Sequence, residues 1–261
     1  MLNISVLGGG WLGIPLGEKL KENHDVVVSF RKAITKNNIE EAGLDPWYLD
    51  LDEDDLDPDF FDADVLVIAI PPGVRADGGA AHLRQLKKIT EQLDEDTKVI
   101  YCNSTAIYNP GNDLTEDRAN KNSVFYNFEQ LLFDILSDRL TVVRLGGLVG
   151  GDRIIVNTII DKEIQVNAKD PVNFVHLTDV INSIAQIIDQ DYWGEVLNVV
   201  SPEHPCKQEV YELWSVVKEV SGELLYSDEQ NAKINKTISS AKLIEDLDFE
   251  FRFTNPLDFF K

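Results

Sequence analysis

The sequence predicts an α/β protein, a doubly wound parallel sheet followed by a smaller lobe, on three observations. Strand-like and helix-like periods alternate from the first residues to about residue 145. The run Val65-Leu66-Val67-Ile68-Ala69-Ile70 is apolar throughout, as a strand covered on both faces would be. Finally, Gly8-x-Gly10-x-x-Gly13 falls between the first strand and the first helix, the position in which a glycine turn cradles a dinucleotide.

The first strand is carried by Ile4, Val6 and Leu7, and the helix after the turn by Leu12, Leu16 and Leu20 at every fourth residue. Gly8 suits the tight turn, Gly10 lets the backbone approach a diphosphate, and Gly13 lets the helix pack close to the sheet. Gly8, Gly10, Trp11, Leu12 and Gly13 are therefore candidate cofactor contacts, near helix N–H groups that favour an anion. Trp11 packs near the diphosphate or serves as a core anchor.

Residues 25–30 read as the second strand. An NAD-type site carries an Asp or Glu at its end for the ribose hydroxyls. Here the chain has Ser29, Arg31 and Lys32, a hydroxyl and two cations that suit a 2′-phosphate. NADP(H) is thus preferred and NAD(H) is the second choice. Residues 47–51 read as the third strand, with Asp50 placed to accept from the adenine amino group and Leu51 beside it. Nine carboxylates follow between positions 50 and 64, but a calcium loop starting at Asp50 would need glycine at Asp55 and glutamate at Phe61. The stretch reads as a solvated loop.

The apolar run at 65–70 ends at Pro71-Pro72-Gly73, so Ile70 and Pro71 face the cofactor crevice. A helix is predicted near 80–93, a strand at 98–102, a helix near 123–136 and a strand at 140–145. Beyond Gly146 the alternation weakens. Residues 154–160, a strand-like segment at 171–176, a strand at 196–200 and helices near 179–189, 207–221 and 240–247 suggest a lobe that partly returns to the main sheet. The expected division is 1–150 for the dinucleotide domain and 151–261 for the substrate lobe.

Bulk properties narrow the function. Forty-three per cent of residues are apolar, enough for a full core, and the net charge is −22. That charge argues against nucleic acid and anionic membranes, because phosphate binding depends on Lys and Arg. Two cysteines and four histidines lie scattered, with no metal-ligand spacing. The first strand leaves no room for a signal peptide and no run reaches membrane-spanning length, so a soluble cytoplasmic protein with a small-molecule substrate is expected.

Taken together, several motifs resemble the extended and atypical short-chain dehydrogenase/reductases, the NAD(P)-dependent epimerase/dehydratase family. They are the turn at 8–13, Asn-Ser-Thr-Ala-Ile-Tyr at 103–108, Arg-Leu-Gly-Gly-Leu-Val-Gly at 144–150, Val-His-Leu-Thr-Asp-Val at 175–180 and Leu-Asn-Val-Val-Ser-Pro at 197–202. The segments Gly-Trp-Leu-Gly-Ile-Pro-Leu and Asn-Phe-Val-His-Leu-Thr-Asp-Val look closest to the YeeZ-like atypical subgroup. The resemblance implies a Rossmann-type domain, a C-terminal substrate lobe, sugar nucleotides as the commonest substrates and, by analogy, homodimers.

The resemblance also implies catalytic residues, and here the match is partial. Ser104 takes the place of the hydroxyl that bonds the substrate oxygen. The Tyr-x-x-x-Lys pair is met only by Tyr126 with Gln130 in the lysine position. A cation ~4 Å from a tyrosine at an effective dielectric of ~20 is worth about 4 kcal/mol. Gln130 supplies a dipole without that charge, so a tyrosine beside it is a slow base. In the family the counterparts of His176 and Asp179 mainly position the lobe, and Thr178 or Asp179 suits a helix N-cap. Two functions fit: an NADP(H)-dependent oxidoreductase or epimerase-like enzyme acting on a polar carbonyl or sugar nucleotide, or an NADP(H)-binding sensor or partner-binding protein with little turnover.

Overall fold

A computed structural model describes residues 1–160, 166–227 and 236–261. In chain order the first half gives β1 (Asn3–Leu7), α1 (Gly13–Leu20), β2 (Asp25–Phe30), α2 (Ala33–Glu41), β3 (Asp45–Tyr48), β4 (Val65–Ile68), α3 (Val74–Asp77), α4 (Ala80–Thr90) and β5 (Lys98–Ser104). Then come β6 (Gly111–Leu114), α5 (Val124–Leu136), β7 (Leu140–Leu145), β8 (Gly147–Val149), α6 (Val156–Ile159) and β9 (Val166–Asn167). The chain continues through β10 (Phe174–His176), α7 (Leu177–Asp189), β11 (Val196–Val199), α8 (Lys207–Val217), β12 (Tyr226–Ser227), β13 (Lys236–Ile238) and α9 (Ala241–Leu247).

Seven strands form one sheet in the order β11-β7-β5-β4-β1-β2-β3. The pairings of β1 with β2 and β4, of β2 with β3 and of β4 with β5 are all parallel. Order reverses at β1, whose neighbours lead away in opposite directions, and in such sheets the crevice beyond the carboxyl ends at that point takes the ligand. The doubly wound fold is therefore as the strand–helix alternation predicts. All four residues of β4 and all six of β7 are buried, whereas the edge strand β3 is partly exposed and contains Pro46, which a central strand would not tolerate.

Two compact units share the chain. One comprises Met1–Asn103, Asn120–Val143 and Ile184–Val196, the other Ser104–Ala119, Arg144–Ser183 and Leu197–Lys261. The chain passes between them more than once: Ser104–Ala119 belongs to the second unit and Ile184–Val196 to the first. The first unit's core includes Leu7, Leu66, Ile68, Leu86, Val99, Phe128 and Leu132. The second has its own, around Val149, Phe174, Val210, Trp214 and Phe259.

The acidic stretch after β3 differs from the expected solvated loop. β3 stops at Tyr48, before Leu49–Leu51 can extend it, and Pro58–Phe60 forms a 3-10 turn. Phe60 and Phe61 are fully buried, and the Ser5 hydroxyl donates to the Phe60 carbonyl at 2.7 Å. The carboxylates remain in water while one aromatic pair pins the loop, a contrast that a charge count hides. Residues 154–160 hold the short helix α6 where the sequence gives only an apolar segment. No helix of the chain, among the described residues, is long and apolar enough to cross a membrane.

Candidate functional site

The turn from β1 to α1 is built by missing side chains. Gly8 has φ +118°, and a Cβ there would lie 3.0 Å from the Ala69 carbonyl oxygen. A Cβ on Gly9 would come within 2.6 Å of the Ser29 carbonyl oxygen and 2.8 Å of Ile39 Cδ1. On Gly13 it would sit 2.0 Å from the Gly8 oxygen, far inside van der Waals contact with the turn itself. A Cβ on Gly10 would meet nothing within 4 Å. Three glycines thus close the turn and the fourth faces open space. Two hydrogen bonds tie the turn to β2: Gly8 N–H donates to Ser29 Oγ and Gly9 N–H to the Ser29 carbonyl, both at 2.8 Å.

The open side of Gly10 belongs to a cleft of about 390 Å³. Gly8, Gly9 and Gly10 form its floor, and Ser29, Arg31, Lys32, Leu51, Ile70 and Pro71 are in its walls. Leu7 of β1 lines it too, and Phe30, Thr35, Leu49, Ala69 and Gln85, which the sequence reading did not single out, complete the walls. Thr35 could have been found, since it sits one turn past Arg31 on the helix that follows; Gln85 carries no such signal. Trp11 and Asp50 are half-buried and Leu12 and Gly13 buried, and none of the four is among the lining residues.

The charged end of the cleft is more balanced than the sequence suggests. Arg31 is exposed, with its guanidinium 3.7 Å from an Asp50 carboxylate oxygen and 3.8 Å from one of Asp52. Lys32 is exposed at the start of α2. The Ser29 side chain is buried, and its oxygen is engaged by Gly8.

In the second unit, Ser104 caps the 3-10 turn Thr105–Ile107, its Oγ accepting from Ala106 N–H at 3.1 Å. Thr105 Oγ1 donates to the Leu145 carbonyl. The Lys236 ammonium, absent from the sequence reading, donates to the carbonyls of Thr105 and Tyr108 at 2.8 and 2.9 Å, clasping both ends of this turn. Half-buried, it has its pKa lowered by desolvation. The Tyr108 hydroxyl lies 2.6 Å from Asn198 Oδ1 and accepts from buried Arg144 at 2.7 Å. Burial pushes that phenol up to about 12 despite the guanidinium.

Tyr126 stands half-buried in the first turn of α5, in the first unit, and Gln130 one turn on is exposed. The inward carboxylate of this helix is Glu129, which accepts from Asn103 Nδ2 at 2.7 Å. His176 and Asp179 have structural partners. Helix α7 begins at Leu177, so its cap is neither Thr178 nor Asp179: His176 Nδ1 accepts from Thr178 N–H at 3.2 Å. The imidazole packs 4.3 Å from the Phe253 ring, and burial, with help from Arg252, lowers its pKa to about 4. Asp179 accepts from Arg252 and Phe253 N–H groups, and burial outweighs these bonds to raise it to about 6. Among the described residues no group of three His, Cys, Asp or Glu side chains could hold a metal.

No family model matches the chain. Protein YeeZ of Escherichia coli is 25% identical over a 274-residue alignment that covers 98% of both proteins. UDP-glucuronic acid 4-epimerase from Bacillus cereus, in complex with UDP-glucuronic acid and NAD, superposes with a TM-score of 0.77 at 17% identity, over 99% of this chain and 96% of that one. UDP-N-acetylglucosamine 4-epimerase from Methanobrevibacter ruminantium gives 0.76 at 18% identity, over 96% and 93%.

Proposed function

We propose that this chain, a full-length relative of YeeZ with the Rossmann-type fold of the epimerase/dehydratase short-chain dehydrogenases, is an NADP(H)-dependent oxidoreductase or epimerase-like enzyme. Its substrate is a small polar carbonyl compound or sugar nucleotide. The observation that carries the cofactor is the turn in which Gly10 alone opens into the cleft, where a diphosphate needs close approach to bare backbone. The cleft's apolar walls, Ile70, Leu49 and Leu51, suit the flat apolar faces of a dinucleotide.

Preference for the 2′-phosphate rests on Arg31 and Lys32. Asp50 and Asp52 already neutralise much of Arg31, so the preference is modest, about tenfold, one charge-assisted hydrogen bond's worth. Titrating the protein with NADPH and NADH tests this, and Arg31→Ala should equalise the two; equal affinities in the unaltered protein remove the preference.

A bound nicotinamide supplies a site that takes or gives hydride. Within this chain, Ser104 donates a hydrogen bond to the substrate oxygen, from a turn fixed by Thr105 and Lys236. Tyr126 is the remaining candidate for moving the proton, without a lysine beside it. NADPH oxidation screened over carbonyl compounds and sugar nucleotides tests the chemistry: Ser104→Ala should lower turnover about a hundredfold, and indifference rejects its role. A second reading, an NADP(H)-binding sensor or partner-binding protein with little turnover, is favoured by the exposed Gln130 in the lysine position. It is supported if cofactor binds and no substrate is turned over. We place the protein in the cytoplasm and expect homodimers, which sedimentation would reveal.

A further inference from the structure

Arg31, just past the end of β2, is held from the loop that follows β3. Its Nη1 lies 3.7 Å from Asp50 Oδ1 and 3.8 Å from Asp52 Oδ2. The other oxygen of Asp52 is also engaged, since Oδ1 accepts from the Gln85 side-chain amide at 3.1 Å. Arg31 and Gln85 both line the cleft, the first following β2 and the second on α4. One carboxylate therefore touches two wall residues that come from different elements.

The loop is fixed by contacts that do not use the Asp52 carboxylate. Lys88, one turn past Gln85 on α4, donates to the Leu51 and Glu53 carbonyls. The Tyr48 hydroxyl donates to Glu53 Oε1 at 2.8 Å, and Asp50 Oδ1 accepts from Asp52 N–H at 3.1 Å. Leu51 is buried. Position 52 is thus set from both sides, and the charge of its side chain is a separate choice. Asp54, two residues on, is exposed and makes no hydrogen bond or ion pair with Arg31 or Gln85.

We propose that Asp52 is a built-in competitor for the cofactor's 2′-phosphate and sets how strongly this cleft prefers NADPH to NADH. This rests on the dinucleotide reading and deepens it. A phosphate group carries about two negative charges at neutral pH and suits an arginine through two of its oxygens. To reach Arg31 it must displace Asp52 or lie beside it. The first forfeits an ion pair and the second brings like charges together, so both weaken binding. A ribose with a free 2′-hydroxyl meets no such conflict and leaves Arg31 with its carboxylates. The Gln85 amide, by bonding the other oxygen, keeps the Asp52 carboxylate turned towards Arg31 while the cleft is empty.

Calorimetric titration of the full chain with NADPH and NADH, which differ only in that phosphate, reads the competition. Asp52→Asn keeps an oxygen for Gln85 and removes the charge. It should tighten NADPH about fivefold, the worth of an exposed charge pair, and leave NADH within about twofold. Asp54→Asn takes an equal charge from the same loop and should move NADPH by less than about twofold. In an Arg31→Ala background the gain from Asp52→Asn should shrink to within about twofold, because no guanidinium is left to compete for. Unchanged NADPH affinity in Asp52→Asn, an equal gain for both cofactors, an equal gain from Asp54→Asn, or a full gain without Arg31 overturns the competitor. Equal affinities in the parent followed by an NADPH preference in Asp52→Asn support it, while removing the parent's own preference. A parent that binds neither cofactor overturns the dinucleotide reading itself, and the competitor with it.

Discussion

Two glycine-rich stretches of the first unit, residues 8–13 and 73–79, use the residue for opposite purposes. In the turn at 8–13, the absent Cβ atoms of Gly9 and Gly13 are replaced by neighbouring backbone at 2.6 and 2.0 Å. In the segment after β4, the space beside Gly73 and Gly78 is empty, and only the sign of φ calls for glycine. Gly9 and Gly13 are held by atoms that fill the space beside them; Gly73 and Gly78 bend the chain with open space around them. Glycine count alone therefore says nothing about stiffness, and substitution by alanine distinguishes the two.

The largest expected effect is at Gly13→Ala. A methyl group 2.0 Å from a carbonyl oxygen forces the turn apart, at more than about 3 kcal/mol. Urea unfolding should show it, together with loss of ADP binding; an unchanged midpoint would break the contrast.

Acid should then loosen the start of α4. His82 on α4 is buried against Phe128, the ring that Gly79 packs on, and its Nε2 lies 2.9 Å from the Tyr101 hydroxyl. Desolvation lowers its pKa from 6.5 to about 4. The unfolded chain therefore takes up the proton first: stability is full above pH 6.5 and falls as pH drops towards 4, by about 3 kcal/mol. Half-buried His176 acts in the same direction. Asp179, raised to about 6, acts in the other: its protonated form is favoured in the fold, so its contribution is lost as pH rises from 3.8 to 6. Denaturation profiles of His82→Gln against the parent isolate the histidine, whose variant should lose less stability over the same range.

Gly73→Ala is expected to cost about 1 kcal/mol, since it strains φ without a clash. Thermal unfolding measures it, and a loss as large as Gly13→Ala would mean that Gly73 is packed after all. The smallest change in stability belongs to Gly10→Ala, within about 0.5 kcal/mol. Its methyl group points into the cleft, so ADP affinity should fall although the melting temperature barely moves. An unaffected affinity would remove Gly10 from the floor of the site.

Much of this was legible in the residues. The parallel sheet follows from the apolar run at 65–70 and the strand–helix alternation, and the cleft from the spacing of Gly8, Gly10 and Gly13. What escaped depended on distance in the chain. Lys236 meets the turn after Ser104 across more than a hundred residues, and no local pattern announces that. Asp52 lies close to Arg31 only once β2 and β3 are paired, so the cation pair looked freer than it is. Phe60 and Phe61 were hidden by the carboxylates around them. Gly9 was passed over because the fingerprint treats its position as variable, whereas in this chain Ser29 and Ile39 occupy the space a side chain would need.

The clasp on Thr105 and Tyr108 also has a consequence for biogenesis. Its ammonium is encoded 131 residues after the first carbonyl it holds. At ~5–20 residues per second, a ribosome delivers it on the order of ten seconds after the turn emerges. Throughout that interval the nascent chain carries its glycine cradle complete and its serine loop unfastened.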